Sequence, residues 1–155
     1  MGYTLCKNPR KNYERGTCNM AVVKEVIREE ANGTLSFGNY TLPEKAKVED
    51  FKHAGDLYKV KTFNTMTKLE KNGLFLYEAV PGTSVTDFAE DEKGVSFKVE
   101  SSQDAQITVG MEEDTEYNVK VNGKNIGVLK SNPSGKINIS VELADAGEVL
   151  VEIKK

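Results

Sequence analysis

Between Tyr117 and Leu143 the chain alternates apolar and polar residues with a period of two. Tyr117, Val119 and Val121 are separated by Asn118 and Lys120, and Asn122-Gly123 follows at once. Beyond Pro133-Ser134-Gly135 the alternation resumes as Ile137, Ile139, Val141 and Leu143. Successive side chains of a strand point to opposite faces, so this spacing makes one apolar and one wet surface. Asn-Gly supplies the positive φ that a two-residue hairpin turn demands. The pattern constrains the fold strongly and states no chemistry.

The rest of the second half repeats the pattern. Val95, Phe97 and Val99 form one short run, and Ala105, Ile107 and Val109 a second. Further runs are Ile126–Leu129 and Val149–Ile153, which brings the strands after residue 84 to six. Spacings of roughly ten residues between short strands are the signature of a sandwich or small barrel. The expected core is Phe97, Val99, Ile107, Val109, Tyr117, Val119, Val121, Ile137, Ile139, Val141, Val149, Val151 and Ile153.

The first half is less regular. Ala21–Glu30 fits either a helical stripe or a strand, and its β-branched residues ahead of Asn32-Gly33 favour the strand. Thr34–Asn39 and Leu57–Phe63 read as strands, and Thr67–Lys71 with Leu74–Val80 as a hairpin across Asn72-Gly73. The charged stretch Pro43–Lys52 is expected to hold a turn or one turn of helix. Pro81-Gly82 is the strongest breaker. The fold expected is therefore all-β: a small N-terminal β-sheet unit over residues 20–84, then an antiparallel immunoglobulin-like β-sandwich over residues 85–155. The two are free to merge into one structure.

Charge is unevenly distributed. Lys7, Arg10, Lys11 and Arg15 stand against Glu14 in residues 1–19, a surplus of three. With a formal net charge of −3 overall, the rest of the chain carries −6. The basic leader is poor in apolar residues and is expected to be disordered. An acidic body repels phosphate backbones, so nucleic acid is not an expected partner. No apolar run has the length of a membrane span or a signal-peptide core, so no membrane partner is expected and the expected location is cytoplasmic. Cys6 and Cys18, the two cysteines, then read as free thiols.

Candidate chemistry is sparse. His53, the one histidine, sits in Phe51-Lys52-His53-Ala54-Gly55 and reads as an exposed turn residue. The carboxylates of Asp87, Glu90, Asp91 and Glu92, and of Glu112, Glu113, Asp114 and Glu116, lack the spacing and glycine of a calcium loop. Two of them held about 5–10 Å apart in a cleft would suit glycoside hydrolysis. Tyr40, Tyr58 and Tyr77 are the candidate ligand-binding residues, because outward rings on a sheet can stack on a sugar. No cofactor, metal site or catalytic constellation is expected.

Ala21–Leu42, Gly55–Thr86 and Glu112–Leu143 resemble short bacterial proteins, many of them labelled endosialidase. Asn118–Leu143 also resembles the immunoglobulin-like accessory sandwiches of polysaccharide-degrading enzymes. The first label implies a sialic acid glycan as substrate. Sialidases grip the sugar carboxylate with clustered arginines, and Arg28 is the only arginine after the leader. No catalytic residue is carried over. The function expected is a non-enzymatic binding or assembly module acting through the N-terminal sheet, with a protein partner or a second copy. A carbohydrate-binding accessory module and a glycan-acting enzyme with paired carboxylates are the alternatives.

Overall fold

A computed structural model describes residues 22–155, and the readings of the leader, Cys6 and Cys18 fall outside them. The described residues form thirteen strands and no helix, arranged as two antiparallel sheets facing each other. Hence none of them lies in a helix long and apolar enough to cross a membrane.

The seven-stranded sheet contains β1 (Ile27–Glu29), β2 (Leu35–Phe37), β7 (Ser84–Asp91) and β8 (Gly94–Glu100), with β10 (Glu116–Val121), β11 (Lys124–Lys130) and β13 (Val149–Lys154). Its spatial order is β1-β2-β7-β8-β13-β10-β11. The six-stranded sheet holds β3 (Ala46–His53), β4 (Asp56–Thr62), β5 (Thr67–Lys71), β6 (Leu74–Val80), β9 (Ala105–Gly110) and β12 (Lys136–Val141). Its order is β12-β9-β6-β5-β4-β3. Strands from before and after residue 84 pair within each sheet, β2 with β7 and β6 with β9.

The inward residues of the alternation make the core. Phe37, Phe88 and Phe97 from one sheet meet Tyr77 from the other, with Tyr77 edge-on to Phe97 at 5.6 Å and to Phe37 at 5.2 Å. All the expected core residues are buried except Val121, which is half-buried near the end of β10. Pro81-Gly82 lies where the chain leaves β6 and crosses to the other sheet. There Thr83 donates its N–H to Thr67 Oγ1 (3.0 Å), Thr67 Oγ1 bonds the Thr83 carbonyl (2.8 Å), and Tyr77 OH pairs with Thr83 Oγ1 (2.8 Å). Buried polar groups need such partners, and these hold the crossing in place.

Three readings need correction. Pro43–Lys52 is neither turn nor helix; most of it is β3, an edge strand paired with β4. A bulge between Val48 and Phe51, with Asp50 at φ 57°, puts the inward residues Ala46, Val48 and Phe51 out of period two. Second, the Asp87–Asp91 carboxylate cluster belongs to a strand, β7, whose register likewise shifts between Thr86 and Ala89, with Asp87 at φ 54°. Third, the strand in Ala21–Glu30 shrinks to Ile27–Glu29. Val26 at φ 75° bends the chain ahead of it, and Gly38 donates its N–H to the Val26 carbonyl.

Candidate functional site

The three tyrosines do not form a stacking platform. Tyr77 is fully buried, and Tyr58 and Tyr40 retain 6% and 8% of their surface. Each lies on the inward face of a strand or is closed over by neighbours, so no ring offers a free face to a sugar. Burial lifts the Tyr77 phenol above its ordinary value. Tyr40 is raised by burial and then by Glu100, whose carboxylate accepts its hydroxyl at 3.2 Å. All three are core tyrosines, and the hydroxyls of Tyr40 and Tyr77 have hydrogen-bond partners.

His53 is likewise not an exposed turn residue. Its side chain keeps 10% exposure at the end of β3 and stands edge-on to Tyr58 at 5.8 Å. Nδ1 is buried and lies 3.5 Å from Glu29 Oε1, without the alignment of a hydrogen bond. Beside it a cleft of about 280 Å³ opens between the sheets, lined by His53, Asp56, Tyr58, Lys71, Phe88 and Glu90, among others. Lys71 Nζ bridges Glu90 at 3.2 Å and Asp56 at 3.8 Å, and Asn72 Nδ2 holds Asp56 from the other side at 2.9 Å. Burial raises the Tyr58 phenol, Lys71 opposes this, and Glu90 and Asp56 reinforce it. The charges satisfy one another across the open end of the sandwich.

A second depression, of about 230 Å³, brings Glu90 and Glu112 together with Asp91, Glu92 and Tyr117. Asp87 and Asp114 are not among its lining. A general acid of a glycosidase works from an apolar wall that keeps its proton on. Here Glu112 carries Lys155 at 2.8 Å, Asp91 carries Lys154 at 3.1 Å and Glu90 carries Lys71 at 3.2 Å. The arrangement suits closed ion pairs better than proton transfer. No group of three or more His, Cys, Asp or Glu among the described residues is placed to hold a metal ion.

The outer face of the six-stranded sheet is different. Pairing puts Lys47 of β3 opposite Lys61 of β4, and Lys61 opposite Lys68 of β5. These three lysines form a row across adjacent strands, continued by Glu78 of β6 and Thr108 of β9. Neighbouring strands lie ~4.8 Å apart, so the row spans roughly 10 Å. Lys47 and Lys68 have carboxylates along their own strands, Glu49 at 3.4 Å and Glu70 at 3.6 Å. No ion pair to Lys61 is formed among the described residues; it has a lysine on each side. The same face carries Leu57, 42% exposed, and Val80, 49% exposed.

Lysine on an edge strand such as β3 has a bland explanation, since it discourages edge-to-edge pairing. That does not account for Lys61 and Lys68, which sit on interior strands. Like charges directly opposite each other weaken a sheet, by the same ~0.2–1 kcal/mol that opposite charges contribute. A row of this kind is relieved by an anionic group laid over it. Sequence reading missed the row because Lys61 and Lys68 are separated by a turn and look like ordinary outward strand residues. Only the register between β3, β4 and β5 brings the three together.

Comparison with protein-family models, curated proteins and solved structures finds no match to this chain.

Proposed function

We propose that the protein is a non-enzymatic binding module that works through the outer face of the six-stranded sheet and engages a partner presenting carboxylates. The observation that carries this is the Lys47–Lys61–Lys68 row on a body that is otherwise acidic. The flanking carboxylates return only part of the stability the row gives up, and sites of such uncompensated cost are where function is expected. The exposed Val80 on the same face supplies an apolar contact at the margin of the charged row.

The test is site-specific photocrosslinking inside cells. A crosslinking amino acid is placed at position 61 or 68, and at the control positions Asn118 and Glu152 on the outer face of the seven-stranded sheet. The proposal expects one adduct of defined mass at 61 and 68 and none at the controls. Equal labelling of both faces, or none at 61 and 68, refutes it.

A further inference from the structure

We infer that the partner of this face is an acidic α-helical protein segment lying along the Lys47–Lys61–Lys68 row, across the strands. The inference rests on the face being the binding surface and adds what binds there. Three features lead to it: the spacing of the row, the sign pattern around it, and the exposed Val80 beside it.

Spacing comes first. Three lysines on adjacent strands cover about 9.6 Å at ~4.8 Å per step. Helix residues i and i+7 are about 10.5 Å apart, with i+3 or i+4 between them on the same face. Acidic residues in that pattern fall opposite Lys47, Lys61 and Lys68 within about 1 Å, which flexible side chains absorb. An extended peptide with acidic residues at i, i+2 and i+4 spreads them over about 13 Å. It drifts out of step by about 3.4 Å, one-third of the length of the row.

The sign pattern argues against a uniform polyanion. Glu49, Glu70 and Glu78 lie immediately beside the lysines on the same face. A nucleic-acid backbone or a sulfated glycan presents negative charge continuously and would meet these carboxylates as well. A flat anionic membrane would meet them too. A protein segment can place acidic groups over the row and neutral or basic groups over its flanks. Val80, two positions beyond Glu78 on β6, offers an apolar contact that a protein segment can match and a polyanion cannot. Phe75, on the same face, is covered by Lys136 with its ammonium 4.6 Å from the ring centre, and Leu57 stands four positions along β4 from Lys61, about 13 Å away, which leaves Val80 as the apolar margin.

Binding of fluorescent probes to the full chain tests this by anisotropy. The probes are a stapled helix with Glu at i, i+3 and i+7, the same composition with its glutamates on scattered faces, an alternating Glu strand peptide, an oligonucleotide and a sulfated glycan. The stapled Glu helix should bind tightest. Its affinity should fall about threefold to fivefold in Lys61→Gln, as expected for losing one exposed ion pair. It should fall further when Lys47 and Lys68 are also changed to Gln, while the Lys120→Gln control on the other sheet leaves it unchanged. Equal binding of the scattered helix, tighter binding of either polyanion, indifference to Lys61→Gln, or no binding of the helix overturns the inference. If crosslinks at 61 persist when the helix fails, the face is used by a different kind of partner. If crosslinks fail as well, the binding surface itself is wrong.

Discussion

Replacing Lys61 by Gln should make the fold more stable, and replacing Lys59 by Gln should make it less so. Both residues lie on the outer face of β4, two positions apart, so strand propensity and side-chain size change equally. Their neighbours differ: Lys61 faces Lys47 and Lys68, whereas Lys59 faces Glu70. Unit charges ~5 Å apart in water interact by about 0.8 kcal/mol, so two lysine neighbours cost Lys61 up to about 1.6 kcal/mol. Glu49 and Glu70 lie on its diagonals at about 7–8 Å and return roughly 1.1 kcal/mol. Lys59, two positions along the same face at ~6.7 Å, adds about 0.6 kcal/mol of repulsion, so the balance is a gain of about 1 kcal/mol for Lys61→Gln. Lys59→Gln loses carboxylates on both sides, Glu70 on β5 and the Glu49-Asp50 bulge on β3, partly offset by relief from Lys61 and Lys68, and should cost a few tenths of a kcal/mol. Urea unfolding of both variants at low salt should therefore separate them by about 1 kcal/mol or slightly more, in opposite directions from the parent. At 1 M salt the screening length drops to ~3 Å and the separation should close. Shifts of the same sign, or a separation that survives high salt, would show that the row is not electrostatically frustrated. The main support for the binding face would then be gone.

Other consequences follow from the core and its turns. Phe97→Ala removes a buried ring packed on Tyr77 and Phe88 and should cost about 3–5 kcal/mol in denaturant unfolding. Gly94→Ala would bring a methyl carbon to 1.9 Å from the Ile153 carbonyl oxygen at φ +153°, and a loss of about 2–4 kcal/mol, read as a lower urea midpoint, is expected. The phenols of Tyr40, Tyr58 and Tyr77 are raised above the ordinary value of 10.0 in the folded state. Their contribution is complete below pH 10 and is lost as pH rises beyond it, because the unfolded chain releases the protons first. Unfolding followed against pH should show that alkaline loss. Tyr77→Phe should make the loss shallower while costing about 1–2 kcal/mol at neutral pH through the abandoned Thr83 hydroxyl.

How far the sequence speaks depends on whether a strand keeps its period. Thr67–Lys71 and Leu74–Val80 were legible to the residue because Asn72-Gly73 fixes the turn between them, with both at positive φ. Where a bulge inserts a residue, as at Glu49-Asp50 in β3 and Asp87-Phe88 in β7, the alternation breaks and aspartate sits in the left-handed region. Aspartate tolerates that conformation, so a charged pair inside a strand passes for a loop. The same blindness hid the candidate site. Tyr40, Tyr58 and Tyr77 were singled out by residue type, but type does not say which face of a strand a ring occupies. Tyr58 and Tyr77 share their inward parity with Val60 and Leu69. The lysine row carries no rare residue type and no motif; its meaning lies in register, which sequence separation conceals. A surface built from common residues becomes a site only when strand pairing sets like charges side by side. Its function is therefore to be sought through the energy of that arrangement, which salt and a single Lys61→Gln substitution can measure.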